Sequence, residues 1–221
     1  MAIATLEVPR KSLAEVLHDL GDISPDRIRM PVGTATEQDV INALEAADKR
    51  LYELVDGVLV EKDMGMLESI IASKCSQHLW NYLDENDRGI AFSADGPFRI
   101  KLGRIRFPDS GFISWERLPG QEVPQDPILD AVPDLAIEVI SKSNTPKEMD
   151  LKLKDYFQAG VRLVWFIYPK TQTAIVYTSP TSKKELSKDQ ALDGGKVLPG
   201  FSLPLKTLFV KTRRRLNGKK A

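Results

Sequence analysis

Apolar positions along this chain change period several times, and each change marks an element. Between Leu67 and Leu83 the residues Leu67, Ile70, Ile71, Cys75, Leu79, Tyr82 and Leu83 recur at the helical period, which predicts one long amphipathic helix. Ahead of it, Leu51–Lys62 reads as two strands around Asp56-Gly57, a dipeptide suited to a tight hairpin. Thr36 stands where an N-cap is needed, with acids in the first turn of a helix expected over Glu37–Asp48. Beyond the long helix, strands are expected at Ile90–Ser93 and Phe98–Leu102, and from Ile105 through Phe107 to about Trp115. Residues 116–131 hold three prolines and read as a loop. Leu135–Ile140 reads as a strand, and Lys147–Ala159 as a helix ended by Gly160. Leu163–Tyr168 is almost wholly apolar, as a strand covered on both faces would be, and Ala174–Tyr177 is expected to pair with it. Residues 179–196 are polar, and PGFSLPLKTLF closes the domain with a short strand and an apolar cap.

This order predicts an α/β or α+β fold around one mixed sheet flanked by helices. Residues 1–33 read as an N-terminal extension: Ser12–Leu20 suits a short amphipathic helix, and Gly21, Pro25, Pro31 and Gly33 break regular structure after it. Residues 34–210 form the expected domain, and 211–221 a basic tail. A length of 221 residues suits one domain with appendages.

Composition narrows the function classes. Cys75 is the only cysteine, which excludes a disulfide framework or a zinc ribbon. No apolar run approaches the roughly 18 residues of a membrane span, and a signal-peptide pattern is absent at the start. A soluble, cytoplasmic protein with no membrane partner is the expectation. Lys and Arg total 31 against 31 Asp and Glu, but the tail KTRRRLNGKKA holds six bases and no acid. Residues 1–210 therefore carry a net charge of −6, and the basic tail reads either as an electrostatic handle for phosphate or as a solvated terminus.

The sequence lacks a phosphate-loop motif, a GxGxxG turn and a GxSxG elbow. Cys75 and His78 lie one helical turn apart without further Cys or His nearby, and His18, the other histidine, sits in the extension. Chemistry must therefore rest on carboxylates and lysine. Glu138 interrupts the apolar strand LAIEVI, where a charge needs a partner arginine, an edge position or a metal. Asp109 follows Phe107-Pro108 at the entry to GFISW and is either a turn residue or a strand carboxylate. Glu68 lies near the centre of the long helix's apolar stripe, though a place near its N-terminus also favours the helix dipole. Glu53 in LYELVDG alternates with apolar positions and equally suits a solvent-facing strand residue. Lys152 stands at the margin of the apolar face made by Met149, Leu153, Tyr156 and Phe157, and is either within reach of the preceding strand or a solvated lysine. Lys154 points further away and Lys142 falls in the loop. Two strand carboxylates, a helix carboxylate and a lysine are what phosphodiester hydrolysis with a hard metal requires.

Five segments carry a family resemblance: YELVDGVLV at 52–60, FPDSGFIS at 107–114, PDLAIEVISKSN at 133–144, KLKDYFQAGVRLVWFIYP at 152–169 and PGFSLPLKTLF at 199–209. In this order they resemble the Uma-two family of restriction-endonuclease-like proteins, within the PD-(D/E)xK nuclease superfamily. The resemblance spans about residues 34–210. It implies a restriction-endonuclease-like core, a metal site at Asp109 and Glu138, and assistance from Glu53 or the helix carboxylate Glu68. The superfamily lysine two residues after the strand glutamate is replaced here by Ile140, and the resemblance makes Lys152 its migrated substitute. The implied activity is Mg²⁺-dependent hydrolysis of DNA, with Mn²⁺ as a possible substitute. The alternative is a catalytically silent module of the same fold that binds nucleic acid or protein. An acidic body binds DNA weakly and in a salt-sensitive way, so a homodimer with two sites and two tails is expected.

Overall fold

The computed structural model describes residues 11–209. The first half of the chain runs α1 (Leu13–Asp19), β1 (Ile28–Arg29), α2 (Glu37–Glu45), β2 (Tyr52–Val55), β3 (Val58–Glu61), α3 (Met66–Leu83), β4 (Gly89–Ser93), β5 (Phe98–Lys101) and β6 (Arg104–Arg106). The second half runs β7 (Ser110–Ser114), β8 (Leu135–Val139), α4 (Pro146–Ala159), β9 (Leu163–Tyr168), β10 (Thr173–Tyr177), β11 (Lys183–Leu186), β12 (Ala191–Asp193), β13 (Ser202–Pro204) and α5 (Leu205–Leu208).

A six-stranded sheet has the order β11-β10-β9-β8-β7-β4, and a five-stranded sheet the order β1-β3-β2-β6-β5. In the larger sheet β8 and β9 are parallel and the other pairs antiparallel, so the sheet is mixed. The parallel pair is joined through α4, the crossover that parallel strands require. Thr145 caps α4 by accepting from the Glu148 amide, Pro146 opens it, and Gly160 at φ 99° ends it.

Alternation along β8 sorts its side chains between two helices. Leu135, Ile137 and Val139 face a core that includes Ile71, Cys75, Leu79 and Leu83 of α3. Ala136 faces the opposite side, where Met149, Leu153 and Tyr156 of α4 pack against Val164 and Phe166. Glu138 shares the face of Ala136 and therefore looks toward α4.

The strand expected to run from Ile105 to Trp115 is two strands in two sheets. Arg104–Arg106 belongs to the five-stranded sheet and Ser110–Ser114 to the six-stranded one. Pro108 has no N–H to give a ladder, so the chain leaves one sheet and enters the other across Phe107-Pro108-Asp109. The polar stretch 179–196 also holds strands. Lys183, Lys184 and Glu185 are exposed on edge strand β11, where polarity on both faces hides the signal.

The segment expected as an extension is packed into the fold from α1 onward. Val16, Leu20 and Ile23 bury against Val55, Val58 and Val60, and β1 pairs with β3. Gly21 (φ 90°) lies so close to α4 that a Cβ there would come 2.4 Å from the Glu148 amide nitrogen. Only glycine fits both the angle and the space. The basic tail 211–221 lies outside the described residues. Among the described residues no helix is long and apolar enough to cross a membrane.

Candidate active site

The two sheets and α4 meet at a cluster of buried charges. Alternation in β2 sends Tyr52 and Leu54 into the core under α2 and turns Glu53 the other way, toward α4. Glu53 is 1% exposed, so it is not the solvent-facing strand residue its local pattern also allowed. Arg106 Nη1 donates to Glu53 Oε2 at 2.6 Å, and Lys152 Nζ lies 2.8 Å from Oε1. Arg106 continues to Asp155 of α4, with Nη2 2.5 Å from Oδ2.

Asp109 is fastened to both neighbours of Glu138. Its amide donates to the Ile137 carbonyl at 2.9 Å, and its Oδ2 accepts from the Val139 amide at 2.6 Å. Asp109 thus substitutes a side-chain oxygen for a ladder acceptor just where the chain enters β7. Its Oδ1 lies 2.7 Å from Lys62 Nζ, and Lys62 also donates to the Phe107 carbonyl. Glu138 Oε1 accepts from the Tyr156 hydroxyl, while Oε2 is 3.5 Å from Lys152 Nζ.

The electrostatics assign protonation states. Burial pushes the Glu138 carboxyl above the ordinary glutamate value, opposed by Lys152 and reinforced by Asp109. Burial also works to raise Glu53, but Lys152 and Arg106 overcome it and hold that carboxyl well below the usual range. Burial works to lower Lys152, and the charges of Glu138 and Glu53 win, so its ammonium stays protonated. Lys152 is therefore a donor and a positive charge, not a general base at neutral pH. Burial and Glu138 raise the Tyr156 phenol, which keeps its proton to donate.

A small cavity opens onto this cluster, lined by Glu53, Lys62, Asp63, Asp109, Glu138 and Lys152 among others. The structure therefore brings together Glu53, Asp109, Glu138 and Lys152. It does not bring Glu68 to them. Glu68 is half-buried in the first turn of α3, with its carboxylate over Gly65, and does not line the cavity. Its angle on the helix does match the apolar stripe, but the first turn projects past the core, leaving Met66 79% exposed. Lys154 is exposed, as its position suggested, and Lys142 lies in the loop after β8. Cys75 is buried in the α3 core, where burial raises its thiol, and it serves packing. A larger cavity of ≈ 510 Å³ lies elsewhere, between β1, α2 and the hairpin, and none of these four residues lines it.

Sequence reasoning missed Lys62, Arg106 and Tyr156 as members of the site. Two had a readable signal. Val60 pairs with Glu53, so Lys62, two residues on, shares Glu53's face of the hairpin. Arg106 stands between Ile105 and Phe107, an interruption of the same kind as Glu138. Tyr156 looked like an ordinary member of an apolar helix face.

A divalent ion suits the donors present. Asp109 and Glu138 offer oxygen only, and Mg²⁺ is usually held by one or two carboxylates with waters and substrate phosphate completing its shell. Both carboxylates line one cavity, and a cation bound there would favour the ionised form of Glu138, which burial disfavours. Among the described residues no three His, Cys, Asp or Glu side chains gather as a self-sufficient metal centre.

The mixed sheet between helices, with carboxylates at the β7–β8 junction, defines a nuclease-like fold. A solved structure from Anabaena variabilis ATCC 29413, described as a putative nuclease belonging to DUF820, shares it at a TM-score of 0.65 and 21% identity. The likeness covers 79% of this chain and 97% of that one. Residues 39–206 match the Uma2 (Uma-two) family model, described as "Putative restriction endonuclease", and the chain belongs to that family. No curated protein matches.

Proposed function

We propose that this protein is a divalent-metal-dependent endonuclease that hydrolyses DNA phosphodiester bonds. The observation that carries the reading is the convergence of Asp109, Glu138, Glu53 and Lys152 on one buried cavity at the junction of the two sheets. Asp109 and Glu138 would hold Mg²⁺, or Mn²⁺ in its place. Bound there, the ion supplies a more acidic water and neutralises charge on the phosphate. Lys152, kept protonated by its two carboxylates, orients the attacking water and stabilises negative charge developing on the phosphate. Glu53 aims Lys152 and is itself fixed by Arg106. Tyr156 holds one oxygen of Glu138 and leaves the other toward Lys152. Glu68 lies outside this arrangement. The acidic body and basic tail suit a pair of chains acting together on DNA, which light scattering at micromolar concentration would check.

The test is Glu138→Ala. Loss of Mg²⁺-dependent cleavage of plasmid DNA with the melting curve retained supports the reading, and undiminished cleavage sinks it.

One observation favours a second reading, a catalytically silent module that binds nucleic acid or protein: each carboxylate already faces a lysine, Asp109 with Lys62 and Glu138 with Lys152. In that case the ammoniums are permanent counter-charges. Thermal melting separates the two. A rise in melting temperature with Mg²⁺ or Mn²⁺ that Asp109→Asn removes favours the enzyme, and no rise favours the module.

A further inference from the structure

Lys62 follows β3 and carries its ammonium into the cavity, with its side chain 6% exposed. Its partner Asp109 has both oxygens engaged. Oδ2 accepts from the backbone amide of Val139 at 2.6 Å, and Oδ1 lies 2.7 Å from the Lys62 ammonium. The first contact is part of the β7–β8 junction and is fixed. The second depends on a flexible four-carbon stem, steadied by the hydrogen bond to the Phe107 carbonyl. Glu138 is held differently. Tyr156 takes Oε1, but the ammonium nearest Oε2 is 3.5 Å away. A cation entering the pair would therefore find Glu138 Oε2 without a close partner and Asp109 Oδ1 already paired.

We propose that Lys62 is the built-in counter-ion of Asp109: it neutralises the carboxylate in the metal-free protein, must leave Oδ1 before a divalent cation binds there, and so weakens the site's affinity for metal. The inference rests on Asp109 and Glu138 forming a metal site, as proposed above. A buried carboxylate left without counter-charge is strongly unfavourable, which gives the chain a reason to keep an ammonium at this position. An ammonium at 2.7 Å and a divalent ion at about 2.1 Å cannot share one oxygen without strong repulsion, so binding requires exchange. Lysine suits an exchanging partner because it is a compact charge on a mobile stem, whereas arginine would clamp the carboxylate bidentately. Once released, Lys62 still lines the cavity and can meet the phosphate that arrives there. Lys62 is thus a positioning residue, distinct from Lys152, which pairs with Glu53 and Glu138.

Calorimetric titration of the full chain with Mn²⁺, wild type against Lys62→Gln, tests this. Glutamine keeps a donor for Asp109 and for the Phe107 carbonyl but deletes the charge. The variant is expected to bind Mn²⁺ roughly tenfold or more tightly while its metal-free melting temperature falls. A purely structural lysine would move both properties downward together. Equal or weaker affinity in the variant overturns the inference while leaving the metal site standing. No Mn²⁺ binding by either protein overturns the metal-site reading and the inference with it. Should Lys62→Gln fail to fold, reductive methylation of the wild type read by peptide mass spectrometry decides. Lys62 labelling is expected to rise several-fold on Mn²⁺ saturation, and unchanged labelling at saturation overturns the exchange.

Discussion

Glu53 and Lys152 form a 2.8 Å ion pair with both side chains almost fully buried, and it joins the five-stranded sheet to helix α4. Together with Glu138, Glu53 keeps the proposed catalytic lysine protonated, from an element far from it in sequence. Lys152 also faces Glu138, so one ammonium serves two carboxylates. A buried pair of this kind contributes little net stability as a pair but is costly to break from one side.

Replacing Glu53 with glutamine is expected to remove the charge that aims Lys152 and to leave Arg106 short of a partner. The variant should lose about 3 kcal/mol of stability in denaturant unfolding. Cleavage should fall more steeply than Mn²⁺ affinity, because Glu53 acts on the lysine. Calorimetry and a cleavage assay on the same preparation separate the two effects.

Tyr156→Phe deletes the hydroxyl that donates to Glu138 Oε1. A hydrogen bond to the ionised form favours ionisation, so its loss should push the already raised Glu138 carboxyl further up. The acid limb of the pH–rate profile should therefore shift to higher pH, with activity recovered above it. An unshifted limb would show that Glu138 ionisation does not control the rate.

The Arg27–Glu148 pair predicts a pH-dependent stability. Arg27 donates to both carboxylate oxygens of Glu148, at 3.0 and 2.8 Å. Burial works to raise Glu148, but the hydrogen-bonded guanidinium, helped by the charge of Lys152, outweighs it and holds the carboxyl below its ordinary value. A depressed folded-state value means the stabilisation is present above the unfolded value, about 4.3, and is lost as pH falls through the folded one. Arg27→Met should cost roughly 3 kcal/mol at pH 7, and the gap from wild type should narrow on acidification below about pH 4. Urea melts at several pH values measure this.

Gly21→Ala tests whether the N-terminal segment belongs to the domain. The added Cβ would meet the α4 backbone at 2.4 Å, at a positive φ of 90°. Destabilisation by more than about 1 kcal/mol in global unfolding is expected, because α1 covers Val55, Val58 and Val60. A loosely attached extension would leave global unfolding unchanged.

Much of the fold was legible because it obeys local rules. The stripe on α3, the Asp56-Gly57 hairpin, the Gly160 end of α4 and the apolar β9 all arise from periodicity and capping that a few neighbouring residues specify. The readings that failed depended on partners. The segment 105–115 looks like one strand until two sheets pull its halves apart at Pro108. β11 buries only Leu186, too little to mark a period, and exists because β10 offers an edge. The segment from Leu13 to Arg29 read as part of an extension because the surface it covers lies on β2 and β3.

The candidate site divides the same way. The sequence by itself marked Glu138 and Asp109 as carboxylates set among apolar neighbours, since an isolated charge in a buried period is costly wherever it falls, and put Lys152 only at the margin of an apolar helix face. Tertiary structure decided the rest. It turned Glu53 inward and left Glu68 outside, although helical angle favoured the reverse, because burial depends on where an element ends relative to its neighbour and not on its own period. It also brought Lys62 to Asp109 across 47 positions of chain and Arg106 to Glu53 across 53. Charge pairing acts through space over a few ångströms, so no local pattern can specify which ammonium a buried carboxylate will meet.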